Sequence, residues 1–249
     1  MRALAEYTAG DVDMVPAASL LAEPTRAAML TAMLDDRPLA AGELARLAGV
    51  SPATASAHLA RLLHGGLVTV IRQGRHRYYR LAGPEVAAAM EALAHLSPVT
   101  PVRSLRQSQD ATALAQARTC YDHLAGRAGV ALLDALLARK LLVAPQANGL
   151  PDRFDVTAAG LATLSSFGLD MGVLKRTRRR FAGACLDWTE RKPHLNGALG
   201  AAITARLLGL GWIERGPRRR AVRVTPAGAE GLAATFGWGA GEGSGRDIG

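Results

Sequence analysis

The chain has 249 residues, 49% of them hydrophobic, and a formal charge of +9, enough length for two domains and enough apolar content to bury their cores without disulfides. Its two cysteines, Cys120 and Cys185, fit a reducing compartment. No apolar run reaches the roughly 20 residues that cross a bilayer and the N-terminus lacks the layout of a signal peptide, so the expectation is a cytoplasmic protein with no membrane partner.

Residues 1–13 have the mixed polar composition of a flexible arm. Val15 to Leu34 reads as helical, with Leu20, Leu21, Ala27, Ala28, Leu30, Ala32 and Leu34 apolar, and Pro24 starts a second helix after a break at Ala22-Glu23. Asp35-Asp36-Arg37-Pro38 turns the chain. Glu43 to Leu47 is a short helix offering Leu44, Ala45 and Leu47 to a core, and it stops where Gly49 can take the positive φ of a tight turn. Ser51 caps the next helix, and Pro52 sits where a missing donor costs nothing. Ala55, Leu59 and Leu62 then form one apolar stripe, which turns Ala53, Ser56, Ala57, Ala60 and Arg61 outward. That small, polar face suits entry into a DNA major groove.

After Gly65-Gly66, Leu67 to Ile71 and Arg77 to Leu81 are strand-forming runs around Arg72-Gln73-Gly74-Arg75-His76, a hairpin with a basic tip. Six arginines (46, 61, 72, 75, 77 and 80) and no acidic residue lie between Glu43 and Glu85. Phosphates neutralised by such a block release counterions, which supplies sequence-independent affinity. Helix, turn, helix and hairpin make a winged helix. The plainer alternative is a small helical domain with a solvated basic hairpin.

Three stretches, LLAEPTRAAMLTAML (Leu20–Leu34), ELARLAGVSPATASAHLARLLHGGLV (Glu43–Val68) and GRHRYYRL (Gly74–Leu81), resemble the ArsR/SmtB family of bacterial winged-helix regulators. The resemblance spans residues 14–96. It implies a recognition helix at Ser51–Leu63, a homodimer interface from the helices at Met14–Leu34 and Glu85–Leu96, and repression at a palindromic double-stranded DNA operator. Candidate DNA contacts are Ser51, Ala53, Thr54, Ser56, Ala57, His58 and Arg61 on the helix, with Arg72, Arg75, His76 and Arg77 on the wing. Relatives often bind metal on the helix before the recognition helix or on the last dimer helix. Here the first place reads Glu43-Leu44-Ala45-Arg46-Leu47 and the second offers only Glu85, Glu91 and His95, so neither pattern is present.

Pro84 and Glu85 open a helix to about Leu96, and Ser97-Pro98-Val99-Thr100-Pro101 breaks it, giving a linker over 97–110. Residues 111–236 contain an internal repeat. Cys120-Tyr121-Asp122 recurs as Cys185-Leu186-Asp187, His123-Leu124-Ala125-Gly126 as His194-Leu195-Asn196-Gly197, and Val156-Thr157-Ala158-Ala159-Gly160 as Val224-Thr225-Pro226-Ala227-Gly228. Each copy reads as a cysteine-bearing helix, an apolar helix, two short strands and a closing helix. The fold class is therefore mainly α with small β-hairpins (α+β): a winged helix-turn-helix, then two degenerate winged-helix-like repeats forming an effector domain. The glycine-rich tail, 237–249, is expected to be disordered.

Cys120 and His123 stand three apart, one face of a helix, and Cys185, Asp187 and His194 join them if the copies pack about a pseudo-two-fold. Such thiolate and imidazole groups suit zinc or another borderline metal, although no cofactor is required. Small buried thiols with hydrogen-bonded histidines, or a thiol redox sensor, are the alternatives. Tyr121, Trp188 and Trp212 are candidates to line an apolar pocket for a small-molecule effector, an ordinary core being the alternative. Residues 1–96 balance nine basic against nine acidic side chains, whereas 97–249 carry 21 against 12. Within that excess, Arg218, Arg219 and Arg220 sit at a second wing tip and are candidates for flanking phosphates or for a solvated face. No phosphate loop, nucleophile elbow or metalloprotease signature points to an enzyme. The reading is an effector-controlled transcriptional regulator. Its rivals are a metal or thiol sensor and a non-specific DNA-coating protein.

Overall fold

A computed structural model describes residues 12–98, 101, 103–145 and 151–239. The chain divides into two units, Met1–Met90 and Glu91–Gly249. Most of the expected arm and tail lies outside the described residues.

The first unit begins with α1 (Val15–Leu21) and α2 (Pro24–Ala32), separated by Glu23, whose carboxylate accepts the amides of Thr25 and Arg26 at 3.0 and 2.8 Å. That cap satisfies donors the helix start would leave orphaned. Strand β1 (Leu39–Ala40) leads into α3 (Ala41–Ala48), which ends at Gly49 with φ +67°. Next come α4 (Pro52–His64), β2 (Val68–Gln73) and β3 (His76–Leu81), the strands forming an antiparallel sheet in the order β1-β3-β2. The β2–β3 register brings Gln73 opposite His76 across the turn, where Gly74 has φ +58°. Met29, Leu30, Leu44, Leu59, Leu62 and Leu81 fill the core. Leu47, expected in that core, is 44% exposed, because Leu44 and Ala45 already carry the buried side of this short helix. Helix α5 (Pro84–Leu96) crosses the boundary between the units.

In the second unit the expected linker is partly helical. Ser104 accepts the Gln107 amide at 3.2 Å and Gln107 Oε1 takes the Arg103 amide at 2.7 Å, so α6 (Leu105–Gln116) starts inside it. Ser-x-x-Gln is the sequence of a capping box, which outweighs the polarity that made this stretch read as a linker. The chain then runs through β4 (Arg118–Cys120), β5 (His123–Ala125), α7 (Gly126–Ala138), β6 (Leu142–Val143), β7 (Asp155–Val156) and α8 (Ala158–Ser166). After the short α9 (Met171–Lys175) follow β8 (Gly183–Leu186), β9 (Pro193–Asn196), α10 (Gly197–Gly209), β10 (Ile213–Arg215), β11 (Val222–Val224) and α11 (Pro226–Phe236). Hairpin, helix, hairpin, helix thus occurs twice in order.

The cysteine-bearing segments are hairpins, not the expected helices. Cys120 pairs with His123 and Cys185 with His194 across antiparallel rungs. A spacing of three is shared by a helix face and by the rung that closes a two-residue turn. Here Tyr121 takes φ +59°, which selects the turn.

Each of these hairpins is built into the other half of the unit. The Thr119 amide donates to Arg220 O at 2.8 Å and the Val222 amide to Ala117 O at 3.0 Å, joining β4 to the β10–β11 hairpin. Reciprocally, Phe154 N meets Ala182 O at 2.9 Å and Ala184 N meets Asp152 O at 3.0 Å, joining β8 to the segment just before β7. A Cβ at Gly129 on α7 would lie 2.4 Å from Leu124 O and 3.6 Å from His194 Cβ; at Gly200 on α10 it would lie 2.4 Å from Leu195 O and 3.3 Å from His123 Cβ. Glycine at these two positions lets the Leu124 and Leu195 carbonyls sit directly on the helices, with the histidine Cβ atoms close beside them. Leu133, Leu136, Leu164, Leu199, Leu207 and Phe236 belong to one continuous core. The first tail residues are ordered too: Gly237 closes α11 at φ +74°, and the Trp238 ring packs against that core. Among the described residues no helix is long and apolar enough to cross a membrane.

Candidate nucleic-acid interface and a buried cysteine-histidine cluster

Helix α4 is set by its own sequence. Ser51 Oγ accepts the Thr54 amide at 3.1 Å, and Ala55, Leu59 and Leu62 are fully buried. Ser51, Ala53, Thr54, Ser56, Ala57 and Arg61 are consequently exposed along one side. Ser56 Oγ donates to Pro52 O at 2.9 Å. His58 departs from expectation. It is largely covered, with Nδ1 3.3 Å from Glu23 Oε2, and so belongs to the packing of α4 on the α2 cap. Burial works against the Glu23 charge, yet the Arg26 and Thr25 amides outweigh it and hold its pKa near 2.

On the wing, Arg72, Arg75, His76 and Arg77 are all exposed. The register sets Arg72 directly opposite Arg77, a like-charge pairing that is unfavourable until an anion lies across it. Among the described residues none of Arg61, Arg72, Arg75 and Arg77 has an acidic partner.

The second unit gathers four of the five residues proposed as metal ligands. One ligand atom each from Cys120, His123, Cys185 and His194 lies within 4.8 Å of all the others. The two sulfurs are 3.9 Å apart, and the imidazoles stack at 5.1 Å between centroids. Cys120 and both histidines are buried, while Cys185 is half-buried. His123 Nδ1 faces Asp122 Oδ1 at 3.3 Å and His194 Nδ1 faces Asp187 Oδ2 at 3.7 Å; the buried Nε2 atoms of both rings have no hydrogen-bond partner. The hydrogen bond with Cys185, with burial, pushes the Cys120 thiol up. Burial disfavours a charge on His123, but the Cys120 sulfur and the Asp122 carboxylate raise it to about 9. Burial, with the neighbouring His123, drives His194 well below the usual imidazole range.

Asp187, the fifth candidate, is occupied elsewhere. Its carboxylate takes Arg118 Nη2 at 2.8 Å, the Gly126 amide at 2.7 Å and the Thr189 amide at 2.9 Å, and both ionic side chains are wholly buried. Asp122 is likewise paired with Arg179; burial opposes its charge, but that guanidinium brings its pKa to about 2. Neither pairing was read from the sequence, although both repeated words end in aspartate.

The three aromatic candidates do not share one pocket. Trp188 lies under the Arg118 guanidinium at 4.6 Å and Tyr121 occupies the hairpin turn, while Trp212 packs on Phe167 and with it lines a cavity of about 560 Å³. Another cavity, of about 570 Å³, opens between α6, α7 and the β10–β11 hairpin, lined by Ala113, Ala128, Ala131, Val222 and Trp238 with Arg127, Arg218 and Arg223. The proposed second wing tip also turns inward, since Arg220 pairs with Glu91 and donates to Thr119 O at 3.1 Å, while Arg218 pairs with Asp110.

Residues 21–71 match the family of helix-turn-helix domains. The HTH-type transcriptional regulator YdfF of Bacillus subtilis is 44% identical over 210 residues, 84% of this chain and 91% of that protein. Among solved structures, HlyU from Vibrio cholerae shares 34% identity over 33% of this chain and 88% of its own, with a TM-score of 0.31. The cadmium sensor CMTR from Mycobacterium tuberculosis shares 31% over 37% of this chain and 99% of its own, with a TM-score of 0.30.

Proposed function

This chain belongs to the same family of helix-turn-helix transcriptional regulators as YdfF, and we propose that it is a sequence-specific repressor of the ArsR type, acting as a homodimer under control of its second unit. The observation that carries the reading is the open side of α4 beside a wing whose opposed arginines, Arg72 and Arg77, have no acid to answer them among the described residues. Small side chains at Ala53, Ser56 and Ala57 let the helix approach base edges, and Arg61 reaches a base or phosphate. The wing arginines fix register on the phosphates.

Exposed apolar side chains support self-association. Met14 and Val15 at α1, and Leu93 and Leu96 on α5, are between 45% and 84% exposed, on the helices that the family resemblance assigns to the dimer. Two-fold symmetry then sets the recognition helices about 34 Å apart, one turn of DNA. The second unit we read as a duplicated pair of winged-helix-like modules that have lost an exposed wing. Its cavity of about 570 Å³, lined by apolar side chains with Arg127, Arg218 and Arg223, suits an amphipathic anion as effector. Such a ligand represses or releases only in so far as it binds one dimer geometry better than the other.

The test is fluorescence anisotropy of the full-length protein on its own upstream region against scrambled duplex at one physiological salt concentration. A preference of about 10³ or more is expected. Equal affinity for both would replace this reading by that of a DNA-coating protein.

A further inference from the structure

We propose that Cys120, His123, Cys185 and His194 form a closed tetrahedral site for a zinc-class divalent cation, which ties the two interlocked hairpins of the second unit together. The site lies wholly within the second unit and does not depend on the DNA-reading role of the first.

The backbone presents the ligands in pairs. Each hairpin supplies one cysteine and one histidine from opposed positions of a single rung, Cys120 with His123 and Cys185 with His194. Opposed side chains project to the same face of a hairpin, so each rung offers two ligands to one point. Because the hairpins are exchanged between the halves, the two rungs meet, and all four ligand atoms fall within 4.8 Å of one another. A tetrahedral zinc ion with bonds of about 2.3 Å to sulfur and 2.0–2.1 Å to nitrogen has ligand-to-ligand edges of roughly 3.3–3.8 Å. The sulfur separation of 3.9 Å is close to that edge and about twice the length of a disulfide bond.

The surroundings point the same way. The Nε2 atoms of His123 and His194 are buried without a hydrogen-bond partner, a condition that native interiors rarely leave unexplained. The Nδ1 atom of His123 faces the Asp122 carboxylate at 3.3 Å, the arrangement in which a carboxylate orients an imidazole whose other nitrogen binds metal; Nδ1 of His194, 3.7 Å from the Asp187 carboxylate, lies beyond hydrogen-bond reach. Those carboxylates are neutralised in turn by Arg179 and Arg118. Two thiolates and two neutral imidazoles then cancel the charge of a dication within a buried site, the two thiol protons and the proton carried by the His123 imidazole leaving to solvent. Four protein ligands leave no open coordination position, so the ion is structural rather than catalytic. Cys185, the half-buried ligand, marks the side from which the ion enters.

The experiment uses the full-length chain, untagged and reduced, stripped with a chelator and titrated with Co²⁺. The expected result is saturation at one ion per chain, with the strong visible bands of tetrahedral cobalt and near-ultraviolet thiolate charge transfer, both abolished by Zn²⁺. Elemental analysis of the unstripped protein should find zinc at the same ratio. Cys185→Ser is expected to bind cobalt at least ~100-fold more weakly, whereas Asp122→Asn, which touches only the back of His123, should lose no more than about 10- to 100-fold and keep the tetrahedral spectrum. Less than about a tenth of an equivalent of cobalt on the reduced wild-type chain, or only the weak bands of six-coordinate cobalt, would overturn the proposal. So would a purified chain with Cys120 and Cys185 joined as a disulfide that takes up no metal after reduction. These readouts need only the wild-type protein, so a variant that fails to fold leaves the proposal open to refutation.

Discussion

Asp187 gathers three elements of the second unit on one buried carboxylate. It holds the buried Arg118 guanidinium, the first amide of α7 at Gly126 and the turn at Thr189. Burial opposes its charge, but Arg118 and the donors around it keep the carboxyl well below the usual range. A buried ion pair contributes little net stability against an apolar substitute, but removing one partner strands the other charge. Asp187→Ala should therefore destabilise the second unit by about 3–5 kcal/mol, read as a lowered urea midpoint. A change under about 1 kcal/mol, the range of exposed pairs, would mean that Arg118 finds water or another acceptor.

Among elements, the wing carries the clearest prediction. Replacing Arg72, Arg75 and Arg77 with glutamine should flatten the plot of log affinity against log salt by up to about 0.9 for each phosphate that is no longer neutralised. Removing the Arg72–Arg77 opposition should leave the fold as stable as before or slightly more so. An unchanged slope would exclude the wing from the interface. Helix α4 and this hairpin were legible in the sequence because every local signal agreed: cap, proline, apolar stripe, turn glycine and strand runs. The cysteine hairpins were not: at Cys120 and His123 a spacing of three serves both a helix and a tight turn, and in both hairpins strands of three or four residues are too short to show alternation. His58 was misplaced because its position on α4 faces sideways, where Glu23, 35 residues earlier, decides its contact. The coming together of Cys120, His123, Cys185 and His194 was readable only as a condition on how the halves pack. The exchange of hairpins that satisfies it leaves no mark in local sequence.

For the molecule as a whole, the charge of +9 is misleading if read as a uniform attraction to DNA. The excess falls in residues 97–249, yet several of those arginines are committed inward, Arg118 to Asp187, Arg179 to Asp122 and Arg220 to Glu91. In the first unit, which is close to neutral in sum, the wing arginines and Arg61 stay open. That distribution favours a reader of particular sites over a protein that coats DNA. Selection of the full-length protein on a random pool of duplexes at physiological salt tests this most directly. The expected result is enrichment of an imperfect palindrome whose half-site centres lie about 34–36 Å apart, bound ~10³ or more tighter than scrambled DNA. A pool that emerges unenriched, with one affinity for every sequence, would contradict it.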